Sequence, residues 1–330
     1  KNYEMNMKDV YGVGNAIVDV IAEVDDQFLS EVSLEKGHMT LIDNEQMAAI
    51  ENKLRSAPKK IMSGGSAANT IYAVQAFGGS TAYGCRISDD SNGQHFFRDF
   101  SESGISISNL SPAKEGATGQ CLVLVTPDAE RTMATNLGVS ANLTNSCMDQ
   151  NVLSESKMLY LEGYLATSEK NTGVALQAKE IALEAGAEVA LTLSDSSILS
   201  PFRNAFESFI GEGVEILFCN EQECLTWSGT DRIDLAITEM RDFAKEIYIT
   251  LGAKGSIAVS SVGIEEVETD QVVAVDTNGA GDLFAGACLY AKTQKLTAKE
   301  CALFANKCAG TIVQEYGARF SSASEYKKLI

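Results

Sequence analysis

Asp282 stands in the run Val275-Asp276-Thr277-Asn278-Gly279-Ala280-Gly281-Asp282-Leu283-Phe284, which reads as a strand end, a glycine turn and the first turn of a helix. Gly279 and Gly281 allow the backbone to pass close to a ligand and to aim successive amides in one direction. The helix start adds unpaired N–H groups and the positive end of a macrodipole, so an anion is welcome there. A carboxylate is out of place in a site that only binds anions. Beside such a cradle it suits abstraction of a proton from a hydroxyl that attacks a phosphoryl group. The competing account is an acidic residue that merely complements the helix dipole, and the turn alone does not choose between them.

Other turns along the chain offer matching chemistry. In Gly64-Gly65-Ser66-Ala67-Ala68-Asn69-Thr70 the glycines admit a polyhydroxyl ligand close to backbone, and Asn69 on the first helical turn can hydrogen-bond it. An ordinary Ser-capped helix start would look the same. Gly12-Val13-Gly14-Asn15-Ala16-Ile17-Val18-Asp19 begins like a dinucleotide fingerprint, but Ile17 occupies the third glycine position and no helix period follows. Asp19, at the end of a strand, can instead accept from both hydroxyls of a sugar diol. In Asn220-Glu221-Gln222-Glu223, between a strand and a helix, Glu223 could orient waters around Mg²⁺ or simply suit a first helical turn. Thr250-Leu251-Gly252-Ala253-Lys254-Gly255-Ser256 lacks Walker spacing and is either a nucleotide-shaped turn or a plain hairpin. Arg131 could swing over a phosphate or remain a solvated hairpin residue.

These turns need elements to hold them. Apolar strand-like runs alternate with helix-period segments, the pattern of an α/β domain with a mostly parallel sheet. Strands are expected at Val10–Ile17, Thr81–Arg86, Met158–Leu161, Glu188–Leu193, Ile216–Cys219 and Ile247–Leu251. Helices are expected between them at Ala67–Phe77, Gly93–Ser103, Thr172–Ala185, Leu199–Phe209, Glu221–Trp227 and Ile233–Ala244. Short antiparallel strands at Ser256–Val262, Gly263–Val267 and Gln271–Val275 precede two long helices, Gly281–Ala291 and Thr297–Glu315. Two regions break the rhythm: Val20–Ser63, with alternating segments around Met39–Ile42 and a helix near Glu45–Arg55, and Ala117–Asn136, with two alternating runs (Gln120–Val125, Arg131–Thr135) joined by the turn Pro127-Asp128-Ala129-Glu130. They predict a small uncovered β lid over the carboxyl edge of the main sheet. The division expected is a large catalytic domain from residues 1–18, 64–116 and 137–330, with residues 19–63 and 117–136 as the lid.

Composition narrows the partners. A net charge of −19 over 330 residues argues against nucleic acid and anionic membrane, which need a basic footprint. It leaves room for a phosphorylated ligand held by local amides. With no apolar run of membrane-spanning length and no basic-then-apolar secretory start, a cytoplasmic protein is expected. Eight irregularly spaced cysteines read as buried reduced thiols, and Cys219 and Cys224 lack the second pair that a zinc site needs. Only two histidines, His38 and His95, are present, so serine-triad and zinc-hydrolase schemes fall away and proton transfer is left to a carboxylate.

The chain order of G-x-G-N…D, G-G-S-A-A-N, N-x-x-E, T-L-G-x-x-G and D-T-N-G-A-G-D resembles the ribokinase-like (PfkB) family of carbohydrate and nucleoside kinases, from about Val10 to Phe320. The resemblance implies a three-layer α/β/α domain with a small β-sheet lid, and ATP-dependent phosphorylation of a hydroxymethyl group. By position it implies Asp282 as the base and the amides of Gly279, Ala280 and Gly281 as the anion hole. Asn220 and Glu223 would organise phosphate and Mg²⁺, Glu223 through water. Thr250, Gly252 and Gly255 would line the nucleotide, with Asn306 beside the adenine. Asp19, Gly64, Gly65 and Asn69 would hold sugar hydroxyls, and Arg131 would come down from the lid to neutralise phosphate. A monovalent cation, K⁺ by family habit, would sit near Asp276. Gly14-Asn15 before Asp19, Val24–Leu29, Leu193-Ser194 and Asn278 look more like adenosine kinases than fructokinases or ribokinases. Asn15, Ile17 and Tyr164 would then contact a purine. Asp195-Ser196-Ser197 departs from the aromatic residue that adenosine kinases tend to place there, which keeps another nucleoside or a free sugar open as the small-molecule substrate. A monomer and a lid-mediated homodimer both fit.

Overall fold

Strands form where β-branched and apolar residues run between glycine turns, and the computed structural model describes them over residues 7–54, 59–108, 112–128 and 130–330. In chain order they are β1 (Val10–Val13), β2 (Ile17–Glu23), β3 (Met39–Leu41), β4 (Lys59–Gly64), β5 (Thr81–Gly84), β6 (Ser106–Ser108) and β7 (Gly119–Val125). Then come β8 (Arg131–Asn136), β9 (Met158–Glu162), β10 (Glu188–Thr192), β11 (Val214–Asn220), β12 (Ala244–Thr250), β13 (Ser256–Val259) and β14 (Ile264–Val267). The larger sheet runs β14-β13-β12-β11-β10-β9-β1-β5-β6, parallel except for its antiparallel β12–β13–β14 edge. A second sheet runs β3-β8-β7-β2-β4.

The period of two sorts side chains to the two faces of the larger sheet. Tyr160, Ala190, Ile216, Phe218 and Tyr248 join the core shared with the helices Ser66–Phe77, Ala280–Thr293 and Ala298–Ile312. Leu159, Leu161, Leu191, Leu217 and Ile249 join the core shared with Glu169–Glu184, Arg203–Ile210, Glu221–Ser228 and Ile233–Met240. Both faces are covered, so the strands can be apolar throughout. All eight cysteines are buried and unbridged.

Several expected boundaries move. The strand expected over Val10–Ile17 is two strands, because the backbone donors of Asn15 and Ala16 between them are taken by side chains. Glu162 Oε1 accepts from Asn15 N and Ser140 Oγ from Ala16 N, and the chain leaves one sheet for the other. Gln271–Val275 forms no strand; Val275 N instead donates to Val313 O at 2.7 Å. The helix expected over Leu199–Phe209 is broken into Ser196–Leu199 and Arg203–Ile210, with Pro201 in the gap. The second sheet is not uncovered. Val18, Val20, Leu122, Leu124 and Ala134 on one face share a core with Leu29, Met47 and Ile50 of the helices Asp26–Glu31 and Asn44–Lys53. Its opposite face carries Ile17, Cys121 and Val123 as a separate small cluster. Ala129, of the expected turn Pro127-Asp128-Ala129-Glu130, and Arg55, at the end of the helix expected near Glu45–Arg55, lie outside the described residues.

The carboxyl ends of parallel strands lie side by side: Val13, Gly84 and Leu161 in one register row, Glu162 beside Thr192, and Asn220 beside Thr250. Open α/β sheets bind ligands at this edge.

Candidate active site

Asp282 enters the carboxyl edge from the helix Ala280–Thr293, whose N-cap is Gly279 with φ 75° and no side-chain cap. A Cβ on Gly279 would lie 2.3 Å from Ala318 Cβ, so only glycine fits this turn. Ser66 Oγ donates to Asp282 Oδ1 at 2.7 Å, and Asn69 Nδ2 donates to Oδ2 at 3.0 Å. Both donors come from the start of Ser66–Phe77, which Gly65 enters at φ 107°. Burial raises the Asp282 carboxyl to about 6, while Ser66, Asn69 and the charge of Arg319 hold it down. A carboxylate so placed is ionised at neutral pH yet close enough to titration to take a proton.

Two cavities meet beside it. The larger, about 770 Å³, is lined by Asn15, Ile17, Asp19, Gly65, Asn69, Tyr164, Asn220, Glu223, Gly279 and Asp282 among others. The smaller, about 220 Å³, is lined by Gly252, Gly255, Ala280 and Asn306. Thr250, Gly281 and Phe284 line both, so the glycine turn is their common wall. A Cβ on Gly281 would meet nothing within 4 Å; the space in front of that residue is cavity.

Asp19 lies on the cavity side of β2, with its carboxyl raised to about 7, chiefly by burial and partly by Asp282, against the opposing charges of Arg319 and Arg131. Gly64 serves it by absence: a Cβ there would lie 2.6 Å from Asp19 Oδ2. Asn15 is buried and its Oδ1 has no protein partner, which leaves an acceptor to a ligand. Glu223 is buried in a capping box with Asn220, accepting from Asn220 N at 2.9 Å and Asn220 Nδ2 at 2.8 Å. Its carboxyl is raised to about 7 by burial. Asn306 lines the smaller cavity, but its Nδ2 is spent on the carbonyls of Val267 and Glu268. Arg131 does not line the larger cavity; its Nη1 pairs with Asp276 Oδ2 at 2.6 Å and its guanidinium lies over the Tyr316 ring. Asp276 also accepts from Asn278 N and Gly317 N, so one carboxylate ties the glycine turn to β8 and to the C-terminal segment.

Glu162 and Arg319 belong to the site without having been marked by any motif, and Ser66, inside the G-G-S-A-A-N turn, reads in the sequence as no more than a helix cap. Glu162 is fully buried and accepts from Asn15 N and Ala67 N, both at 2.7 Å, which caps a helix whose own N-cap residue is Gly65. Its carboxyl is raised to about 7 by burial, against those two amides and with a push from Asp282. An acid ending the apolar strand Met158–Leu161 was the only available sign of it. Among the described residues no His, Cys, Asp and Glu cluster could hold a metal by itself, and no helix is long and apolar enough to cross a membrane.

The profile of the pfkB family carbohydrate kinases matches residues 37–325. The chain is 25% identical to the adenosine kinase of Saccharomyces cerevisiae, over 94% of this chain and 96% of that protein. Among solved structures it resembles the adenosine kinase from Sinorhizobium meliloti, with 34% identity, TM-score 0.86, and coverage of 97% and 98% of the two chains. It also resembles the "probable sugar kinase protein" from Rhizobium etli CFN 42, with 33% identity, TM-score 0.87, and coverage of 99% and 100%.

Proposed function

We propose, from the premise that this chain belongs to the pfkB family of carbohydrate kinases and is an ATP-dependent phosphotransferase acting on a nucleoside or sugar, that its acceptor is the 5′-hydroxymethyl of a nucleoside. The observation that carries the reading is the meeting of the two cavities at Gly281, with Asp282 in the same helical turn. The larger cavity supports a nucleoside because its lining adds the apolar side chains of Tyr164, Phe202, Met39 and Leu41 to the polar ones of Asp19 and Asn69, and its volume exceeds what a hexose alone fills.

In this mechanism Asp19 and Asn69 hold the ribose hydroxyls, and Asp282 takes the proton of the attacking hydroxyl. The uncapped amides at Gly279, Ala280 and Gly281 receive the charge that develops on the transferred group. Thr250, Gly252 and Gly255 flank the nucleotide, Tyr164 stacks on the base, and Asn15 Oδ1 accepts from it. A single buried carboxylate, Glu223 beside Asn220, suits a magnesium ion that arrives on ATP with its own waters, and the ion would neutralise phosphate charge there. The second sheet acts as the lid, with residues 19–63 and 117–136 as a domain apart from the rest. Arg131 leaves Asp276 for phosphate when ATP binds, and a monovalent cation at Asp276 would have to displace the same guanidinium. The cytoplasm is the proposed location.

Steady-state assays coupled to ADP formation, run over a panel of nucleosides and free sugars, test the acceptor. Turnover of fructose or ribose with none of any nucleoside would sink the nucleoside reading and leave a sugar kinase. Asp19→Ala is expected to raise the acceptor KM about 10- to 100-fold with a smaller effect on the KM for ATP, the loss of hydrogen bonds to a charged group. An equal rise in both would place Asp19 elsewhere in the reaction.

The pH profile supplies a further check. Asp282 works as a base only when ionised, and its carboxyl titrates near 6. Below that pH, kcat/KM, which reports the groups of the free enzyme, is expected to fall about tenfold per unit as the base is protonated. A kcat/KM flat down to pH 5 would remove Asp282 from proton transfer.

A further inference from the structure

Arg319 is 7% exposed, in the segment that follows the last long helix. A buried guanidinium ordinarily has its fork matched by carboxylates. Here one carboxylate, Asp99, lies 3.2 Å from Nη1, while Nε donates to Asn69 Oδ1 at 2.9 Å. Nη2 has no hydrogen-bond partner, and the guanidinium carbon lies 4.4 Å from the Tyr72 ring centroid and 5.0 Å from that of Phe100. The rings and Asp99 fix the plane of the fork, and the fork fixes Asn69.

An arginine can only donate, so the end of the Asn69 amide that faces it must be the carbonyl oxygen. The opposite end, Nδ2, then has to face Asp282, where it donates to Oδ2 at 3.0 Å. Without Arg319 the Asn69 oxygen loses its fixed donor, and the amide is no longer anchored at the end away from Asp282.

We infer that Arg319 is a positioning residue for phosphoryl transfer, setting the Asn69 amide so that it donates to Asp282 and holds that carboxylate in place for the acceptor hydroxyl. The inference rests on the reading of Asp282 as the base. A second effect runs through charge. The titratable groups facing Asp282 are Arg319, Asp19 on β2, and Glu162 and Tyr160 on β9, with Tyr164 just beyond. Arg319 is the cation that lowers the Asp282 carboxyl against its burial.

The test uses the full chain with ATP and the panel compound of highest kcat/KM. Arg319→Gln is expected to lower kcat about 10- to 100-fold through misplacement of the base, and to move the acid limb of kcat/KM to higher pH because the lowering charge is gone. Arg319→Lys keeps the charge but not the planar fork, so kcat falls while the acid limb stays in place; it also keeps the test alive should the glutamine variant fold poorly. In an Asn69→Ala background, Arg319→Gln is expected to cost at most about twofold more, since both changes remove one interaction chain. Losses that multiply independently, or an unmoved acid limb in Arg319→Gln, would overturn the relay. Asp282→Asn run alongside separates the two levels. Activity surviving there refutes the base itself, whereas an inactive Asp282→Asn with independent Arg319 and Asn69 effects refutes only the relay.

Discussion

Asp282→Asn is expected to lower kcat by about 10²–10⁴-fold, the usual contribution of a positioned general base, while ATP binding stays close to that of the unaltered chain. The fold should survive. Asn69 can donate only its Nδ2 toward this residue, because its oxygen is held by Arg319, so the new amide would turn its own oxygen to Asn69 and its nitrogen to Ser66. The Ser66 hydroxyl can accept as readily as donate. Stability should not fall at pH 8. A carboxyl whose folded value is raised to about 6 binds a proton more readily folded than unfolded, so its ionised form weakens the fold as pH rises through that value. Removing it relieves that cost. Single-turnover kinetics, a nucleotide titration and a thermal melt check the three parts, and near-native turnover would refute the assignment.

The second expectation separates two glycines that look alike in Gly279-Ala280-Gly281. Gly279→Ala should damage fold and activity together, because φ 75° disfavours a side chain and the new Cβ would lie 2.3 Å from Ala318 Cβ and 2.5 Å from its Cα. Gly281→Ala should leave the melting temperature unchanged or raise it, since alanine is worth about 1 kcal/mol over glycine within a helix and nothing lies within 4 Å of the new Cβ. Its activity should nevertheless fall about 10²- to 10³-fold, because the methyl projects where the two cavities join and moves the transferred group off the turn's amides. A stable Gly281→Ala protein with ordinary turnover would mean that phosphate passes elsewhere.

Much of this site could be read from residues close together in the chain. The turn around Asp282, the glycine entry to Asn69 and the capping box of Asn220 with Glu223 each depend on a few neighbouring residues whose backbone preferences are local. The alternation of strands and helices, and with it the two-faced larger sheet, follows from hydrophobic period in the same way. The break at Asn15–Ala16 could not be read so, because the residues that take its backbone donors, Glu162 and Ser140, lie 147 and 124 positions away. Of the two helices covering the second sheet, Asn44–Lys53 was legible from its own stretch of chain, while Asp26–Glu31 was hidden for a related reason: it is short, and its burial of Leu29 depends on a sheet face assembled from β2, β7 and β8.

The sequence by itself determined that a glycine turn and a carboxylate occupy one helix start, with further glycine and polar turns placed earlier in the chain. Only the tertiary structure decided which groups hold that carboxylate and which lie in reach of each other. Ser66 meets Asp282 across 216 residues, and Arg319 meets Asn69 across 250. No local preference encodes either contact. Each exists because parallel strand pairing brings distant loops to one edge of one sheet, where burial favours the polar groups that find partners.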